Sequence, residues 1–300
     1  MRFSVIIPTY HRDDLLALCL ERVRPGAQTL PGKNYEVIVT DAGTVRTSER
    51  LVRERFPWAR WTAARGLGPG PNRNHGAREA RGEWLVFVDD DCLPSPGWLA
   101  AIAETTANSD ADIIEGRTII PDPRDHPLYF APSTLHGGNY WTCNLAVRRA
   151  VFTALGGFDP DLYEQFEDLE FADRFQRAGY RGVFCAGALV EHPLRRLGWR
   201  GLTRQTLRGR WHLLYALKTG RTAPAEAPLP HALWVTARCE TANRLRIVWH
   251  LFTRPERSRW RSRWFEAAWT WATYPVLFPY LLRWDVRFRR MLRARGTRMR

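Results

Sequence analysis

The sequence predicts an α/β fold built on a mostly parallel sheet. Apolar runs of strand length alternate with segments of helical periodicity from residue 3 onwards. At 300 residues, with 45% hydrophobic and 25% charged residues, the chain is globular and long enough for one large domain and an appendage. Its composition changes near residue 195. We therefore expect one domain over residues 1–195 and a basic, Trp-rich helical extension over residues 196–300.

The opening of the chain begins this alternation. Residues 3–7 are all apolar except Ser4 and are closed by Pro8, which predicts a buried first strand rather than a signal peptide. Residues 13–23 carry apolar side chains at helical spacing, and residues 35–40 form a second apolar run. A strand, a helix and a strand at this spacing predict a parallel pair joined by a right-handed crossover.

The later elements follow the same logic. A long connection rich in Pro, Asp and His covers residues 121–139, and such a connection in a compact domain is usually functional. We expect helices at residues 72–81, 96–106, 148–155 and 167–178, and strands at residues 84–88, 113–120, 142–147, 183–185 and 188–190.

Charge divides the chain into two parts. Residues 1–190 hold 21 Lys and Arg against 25 Asp and Glu, whereas residues 191–300 hold 24 against 6. Nine of the 14 tryptophans lie between residues 199 and 284. The longest uncharged run there, residues 267–282, contains two prolines and is shorter than the roughly 20 residues of a spanning helix. Arg and Trp together favour attachment to an anionic membrane surface.

Cysteine usage indicates the compartment. The five cysteines are odd in number, widely spaced and form no C-x-x-C pair, a pattern that favours reduced thiols over a disulfide framework or a zinc site. We expect a cytoplasmic protein that is peripheral at the inner face of the cell membrane.

The segment VFVDDDC is the most informative motif. It is an apolar strand that ends in Asp89, Asp90 and Asp91. Adjacent carboxylates repel one another, so their place at the end of a buried strand favours a compensating cation. A hard divalent ion such as Mg²⁺ or Mn²⁺ takes oxygen ligands and leaves positions for phosphate oxygens. The motif alone is equally compatible with a solvated acidic turn.

Other polar residues follow the neighbouring predicted strands. In open α/β sheets, ligands bind just outside the carboxyl ends of the strands. Asp41 follows the second strand, and Arg73 with Asn74 precedes the acidic strand. The residues after the first strand complete this set: Pro8, Thr9, Tyr10 and Arg12.

In this order the motifs resemble those of the family 2 glycosyltransferases, from about residue 3 to residue 192. Seven segments here are similar to motifs of that family. The motifs are, in order, the P-x-[YF]-x-R opening, the D-D-G-S strand end, A-R-N-x-G, D-x-D, G-G-F-D, E-D and a terminal His. They stand at residues 8–12, 41–44, 72–76, 89–91, 156–159, 167–168 and 192. Ala42 and Asn72 depart from the pattern, which bears on nucleotide preference more than on activity.

The resemblance implies an inverting enzyme of the GT-A fold that moves a sugar from a nucleotide-diphosphate donor to a hydroxyl of a glycan or lipid-linked acceptor. A UDP-sugar is the first expected donor. It implies Asp91 as the main metal ligand, with Asp89 acting on the ribose or on the metal through water. His192 would bring an imidazole to the same Mg²⁺ or Mn²⁺ ion. Without the family pattern, a satisfied histidine at a sheet edge is the preferred interpretation of His192.

The resemblance also implies the base. Asp168 matches the carboxylate that would take the acceptor proton, and Glu167 would orient the acceptor or tune the site. The remaining implied donor-binding residues are Pro8, Thr9, Tyr10, Arg12, Asp41, Arg73, Asn74 and Asp90. Acids in the first turn of a helix also stabilise its dipole, so Glu167 and Asp168 fit an ordinary helix start as well.

Two other classes of function stay open. A sugar nucleotidyltransferase shares the sheet type, but its G-x-G-[ST]-R-[LM] segment does not follow the first strand. A nucleic-acid-binding protein would use the basic extension, although no helix-turn-helix, finger or RRM signature is visible. A catalytically inactive homologue is a third alternative.

Overall fold

The computed structural model describes residues 2–64, 68–122, 128–253 and 260–296. The chain divides into two compact units. The first comprises residues 1–122 and 131–193, and the second comprises the remainder. Within the described residues, no helix is both long enough and apolar enough to span a bilayer. The different roles expected for residues 1–195 and 196–300 stay predictions.

The first unit is built on an eight-stranded, mixed sheet. Its spatial order is β3-β2-β1-β4-β8-β6-β9-β5, with β3, β2, β1 and β4 parallel and β8 antiparallel to both its neighbours. A separate antiparallel pair, β7 and β10, belongs to the second unit. The strands are β1 Phe3–Thr9, β2 Tyr35–Asp41, β3 Arg60–Ala63, β4 Trp84–Val88, β5 Leu93–Pro94, β6 Ile113–Ile119, β7 Tyr129–Phe130, β8 Asn144–Arg148, β9 Gly182–Glu191 and β10 Arg195–Arg196.

Helices cover both faces of this sheet. Val5 and Ile7 of β1 belong to one apolar cluster, and Ile6 belongs to a second cluster. Such alternation explains why β1 is apolar without interruption at these positions. The helices of the first unit are α1 Asp13–Val23, α2 Glu49–Arg55, α3 Pro69–Glu79, α4 Trp98–Asn108, α5 Arg149–Ala154 and α6 Glu167–Arg177, with a 3-10 turn at Gly32–Asn34.

Apart from β7 and β10, the regular elements described in the second unit are helices. Its helices are α7 Gly198–Arg208, α8 Arg210–Lys218, α9 Leu229–Thr253 and α10 Trp260–Gly296. Pro275 and Pro279 both lie inside α10. Arg289 of α10 is buried, pairs with Asp285 at 2.9 Å and donates to the carbonyls of Ala223 and Pro224. These bonds hold the segment between α8 and α9 against α10.

The predicted α/β class is confirmed, and several bounds agree closely. The helix expected at residues 13–23 is α1, because Leu16, Cys19, Leu20 and Val23 all turn one buried face to the sheet. Helix α3 starts at Pro69, three residues before the expected start. The two short strands expected at residues 183–185 and 188–190 are one strand, β9, whose pairing with β6 shifts register between Gly116 and Arg117.

Sequence patterns did not predict β3 and α2. Strand β3 lies at the sheet edge and carries no fully buried residue, so it lacks an apolar run. Helix α2 buries only Val52. Both elements depend on their contacts with the rest of the sheet more than on their own periodicity.

A buried asparagine holds the far half of the sheet. Asn144 of β8 donates to the carbonyls of Arg117 at 2.9 Å and Ala188 at 2.8 Å, and it accepts a bond from Trp98 Nε1 at 2.8 Å. These bonds satisfy the irregular pairing of β6 with β9. The end of β9 is fixed next, because His192 N donates to the carbonyl of Ile119 at 2.8 Å.

Candidate active site

The acids that follow β4 meet the end of β1. Thr9 donates to Asp90 Oδ2 at 2.8 Å, and Arg12 Nη1 lies 3.0 Å from Asp90 Oδ1 and 3.3 Å from Asp91 Oδ2. Strands β1 and β4 are parallel neighbours, so their carboxyl ends share one edge. Four of the predicted residues are therefore brought together: Thr9, Arg12, Asp90 and Asp91.

Carboxylate charge at this edge is only partly compensated by protein groups. Burial raises the pKa of Asp90 to about 6, Arg12 opposes this rise, and the neighbouring Asp91 adds to it. Arg12 is itself 40% exposed, so its charge is screened by water. An additional positive charge near Asp90 would oppose the rise in its pKa.

Asp91, Cys92 and His192 form a compact group of metal-binding atoms. One potential ligand atom from each lies within 4.8 Å of the others, and all three residues are buried. His192 Nε2 lies 3.6 Å from Asp91 Oδ1 and has no hydrogen-bond partner among the described residues. A buried imidazole nitrogen that is left without a partner in a carboxylate site fits a metal ligand.

The tautomer of His192 follows from its second nitrogen. Nδ1 lies 3.2 Å from the carbonyl oxygen of Pro193. A carbonyl only accepts, so this contact assigns the proton to Nδ1 and leaves a lone pair on Nε2. Metal-binding histidines commonly have their other ring nitrogen held in this way.

Arg73 connects this edge to α6. Its side chain is 4% exposed, with Nη2 at 2.5 Å from Asp89 Oδ1 and Nη1 at 2.8 Å from Glu167 Oε1. Burial lowers the pKa of Arg73, but the two carboxylates outweigh burial and raise it overall. Three predicted site residues from separate parts of the chain therefore form one ion cluster.

The start of α6 places Glu167 and Asp168 next to a strained residue. Phe166, immediately before the helix, has a left-handed backbone with φ of 71°, which is uncommon for a bulky residue. Burial and the adjacent Asp168 raise the pKa of Glu167 to about 7, against the opposing effect of Arg73. Burial also raises the pKa of Asp168. Asp168 is less buried than Glu167.

Asp41 organises the loop after β2. It accepts bonds from the backbone N–H groups of Gly43 at 2.8 Å and Ser48 at 2.6 Å, and from Trp61 Nε1 at 3.3 Å. A Cβ on Gly43 would lie 2.3 Å from the carbonyl oxygen of Arg46, so the turn admits no side chain there. Asp41 thus fixes the conformation of the loop at the carboxyl end of β2.

The remaining predicted residues occupy distinct positions. The Asn74 amide donates to the carbonyl of Phe158 at 2.7 Å and accepts from its N–H at 2.9 Å, so Asn74 holds the G-G-F-D turn. Tyr10 is exposed and Pro8 is buried within β1. Asn72, one of the two departures from the motif, donates to the carbonyl of Thr40 at 2.9 Å and fastens α3 to the end of β2.

Comparison with known proteins identifies the domain. Residues 4–132 match the family model of glycosyl transferase family 2. Over these residues the chain is similar to the family 2 glycosyltransferases. The chain is 28% identical over 214 residues to glycosyltransferase AglE of Haloferax volcanii, covering 65% of this chain and 68% of that protein. It is 33% identical over 97 residues to a poly(ribitol-phosphate) beta-glucosyltransferase of Bacillus spizizenii, covering 30% of this chain and 15% of that protein.

Solved structures support the GT-A fold of this glycosyltransferase. Mannosyltransferase PcManGT from Pyrobaculum calidifontis, in complex with GDP-Man and Mn²⁺, has a TM-score of 0.57 at 20% identity, covering 96% of this chain and 86% of that one. TarS 1-349 of S. aureus, in complex with UDP-GlcNAc, has a TM-score of 0.56 at 16% identity, covering 100% of this chain and 93% of that one. At these identities the likeness concerns the fold.

Motif reading of this glycosyltransferase missed two features. Cys92 had no predicted role, although the D-D-D-C run places it one residue beyond Asp91. The motifs also gave no indication that the two Nη atoms of Arg73, a predicted donor-binding residue, pair with Asp89 and Glu167. Only a charge count across the motifs, with three acids after β4 and the adjacent Glu167 and Asp168 at the start of α6, could have suggested a bridging cation.

Proposed function

We propose that this glycosyltransferase transfers a sugar, with inversion, from a nucleotide-diphosphate donor to a hydroxyl of a glycan or lipid-linked acceptor. The observation that carries the proposal is the Arg73 bridge. It ties Asp89, at the strand edge expected to bind the donor, to Glu167, beside the expected base. Cell-surface polysaccharide is the expected product class, since relatives act in such pathways by name.

The donor side follows from the strand edge. Asp41 and its loop would meet the base, and Thr9 with Arg12 would hold Asp90 and the diphosphate end. We propose a UDP-sugar as the first candidate for the donor. The UDP-GlcNAc complex of a similar fold supports this choice, whereas the GDP-Man complex of another makes a GDP-sugar the competing donor.

Asp91 and His192 would hold Mg²⁺ or Mn²⁺, and Asp89 would act on the ribose or on the ion through water. When bound, such an ion stabilises the negative charge that develops on the leaving diphosphate. The buried, partnerless Nε2 of His192 and the incomplete compensation of Asp90 support a cation here. Mn²⁺ in the complex of a similar fold is consistent with this choice.

Asp168 would act as the base. The acceptor oxygen forms a bond to the anomeric carbon while the bond to the diphosphate breaks on the opposite face, and the hydroxyl proton passes to Asp168. The raised pKa of Asp168, caused mainly by burial, strengthens it as a proton acceptor. Glu167, held by Arg73, would position the acceptor and keep Asp168 in place.

The second unit would bind an anionic membrane surface at the cytoplasmic face. It carries an excess of basic residues and also exposes several tryptophans, among them Trp199, Trp234 and Trp249. Arg at anionic headgroups and Trp at the interface both favour peripheral attachment. The same charge would attract nucleic acid, which is the competing partner.

Release of nucleoside diphosphate from UDP-, dTDP- and GDP-sugars with Mn²⁺ tests the proposal. We expect one donor class to raise the melting temperature and to be turned over. Asp168→Asn should lower kcat by about 10²–10⁴-fold, the usual contribution of a general base, with donor binding retained.

Asp173→Asn, a substitution of the same type further along α6, serves as the control and should retain turnover. Equal activity of Asp168→Asn and the wild type would rule out Asp168 as the base. Formation of a nucleotide sugar from a nucleoside triphosphate, in place of transfer, would instead identify a nucleotidyltransferase.

A further inference from the structure

Cys92 lies inside the group expected to hold the metal. It is fully buried, and its Sγ is within 4.8 Å of both an Asp91 oxygen and a ring nitrogen of His192. A tight turn produces this arrangement, because Cys92 N donates to the carbonyl of Asp89 at 3.1 Å. Two consecutive side chains, Asp91 and Cys92, thereby reach the same histidine.

The geometry at His192 suits an ion shared with this pair. Two ligand atoms that are each about 2.0–2.3 Å from one ion lie roughly 3–4 Å apart. The 3.6 Å between His192 Nε2 and Asp91 Oδ1 falls in that range and is too long for a hydrogen bond. Nε2 is fully buried and has no hydrogen-bond partner among the described residues.

Asp89 is less suited to be the third ligand. Its Oδ1 lies 2.5 Å from Arg73 Nη2, so that oxygen already accepts a charge-assisted bond. Cys92 Sγ belongs to the compact group of ligand atoms within the described residues, and its side chain also makes a hydrogen bond with the neutral thiol of Cys143.

We propose that Cys92 Sγ is a direct metal ligand, so that Asp91, Cys92 and His192 form a mixed O, S and N site for thiophilic divalent ions. This inference rests on the proposed metal role of Asp91 and His192. As the sulfur–metal bond forms, the thiol releases its proton to solvent and binds as thiolate. Thiolate ligands favour Co²⁺ and Zn²⁺, so these ions should bind more tightly than Mg²⁺ and displace it.

Co²⁺ titration of the full chain, followed by absorption, tests this ligand directly. A thiolate bound to Co²⁺ gives a near-ultraviolet charge-transfer band, while the visible bands report Co²⁺ whatever its ligands. We expect both sets of bands in the wild type. Cys92→Ser should lose the charge-transfer band, keep visible bands and bind Co²⁺ at least about tenfold more weakly.

Cys185→Ser is the matched control, because Cys185 is also buried but contacts Thr105 and the carbonyl of Ala101 instead. It should keep the charge-transfer band. Circular dichroism of each variant verifies folding, and Cys92→Ala provides a second replacement if serine disturbs the turn.

The outcomes separate the two proposals. Visible bands that His192→Ala abolishes, without any charge-transfer band in the wild type, overturn Cys92 as a ligand and leave the Asp91–His192 site standing. A charge-transfer band that persists in both Cys92 variants also overturns it. Absence of all Co²⁺ bands in the folded wild type overturns the metal site itself, and with it this inference.

Discussion

Arg73 and Glu167, 94 residues apart in sequence, form a buried ion pair with 2.8 Å between Nη1 and Oε1. The other Nη atom of the same guanidinium binds Asp89, so one side chain pairs with an acid that follows β4 and with an acid of α6. This arrangement makes the two halves of the expected site depend on each other. Stability and activity should therefore respond together when Arg73 is changed.

Arg73→Met should destabilise the domain by about 3–5 kcal/mol, because removal of one partner leaves buried carboxylates without compensation. Urea unfolding, followed by tryptophan fluorescence, measures this loss. Arg50→Ala is the control, since Arg50 is 87% exposed in its pair with Glu54 and should cost no more than about 1 kcal/mol. Similar small losses in both variants would contradict a structural role for the Arg73 bridge.

Glu167 should make stability depend on pH. Its pKa of about 7 in the folded chain lies above the ordinary value of 4.5, so the folded state holds the proton more firmly. The stabilisation of the folded state by protonated Glu167 is fully present below pH ~4.5 and is lost as the pH rises through ~7. We expect the free energy of unfolding of the wild type, relative to Glu167→Gln, to fall between pH 4.5 and 8 by up to about 3 kcal/mol.

Denaturant unfolding of both proteins at several pH values measures that difference. Asp90 is also buried, but it titrates in both proteins. Its effect on the free energy of unfolding therefore cancels when the two proteins are compared. A difference that stays constant with pH, or that grows as the pH rises, would contradict the assignment.

Asn144 should control both stability and the placement of His192. Asn144→Leu leaves Trp98 Nε1 and the carbonyls of Arg117 and Ala188 without this partner, at roughly 1–3 kcal/mol for each group that stays unsatisfied. Because β9 leads directly to His192, we also expect weaker Mn²⁺ binding. Calorimetric titration measures the affinity, and Thr105→Val, a substitution on α4 away from this network, should leave it unchanged.

Membrane attachment should depend on both charge and tryptophan. We expect the full chain to float with anionic vesicles at low salt, to float less at high salt and to remain unbound with zwitterionic vesicles. Trp234→Ser with Trp249→Ser should reduce flotation, whereas Leu18→Ser, at an exposed apolar position of the first unit, should not. Salt-sensitive binding to single-stranded nucleic acid without vesicle binding would favour the other partner.

Several features could be predicted because they are local. Helix α1 follows from the spacing of its apolar side chains, and β1 and β4 follow from uninterrupted apolar runs. The ends of these strands supply Thr9 and Asp89, whose sharing of one edge follows from parallel strand order. Motif order then led to the family that the comparisons support.

Other features lie outside local patterns. Strand β3 and helix α2 bury too little apolar surface to give a periodic signal. Phe158, the partner of Asn74, lies 84 residues away, and Glu167, one of the two partners of Arg73, lies 94 residues away, so no spacing rule indicates them.

By itself, the sequence determined which residues could carry charge, proton or metal chemistry and which segments must be buried, because side-chain type and periodicity act over a few residues. Only the tertiary structure decided which of these groups meet. The Arg73 bridge and the approach of Cys92 to His192 depend on strand order and on the turn at residues 89–92, where chain segments distant in sequence pack to satisfy buried charge.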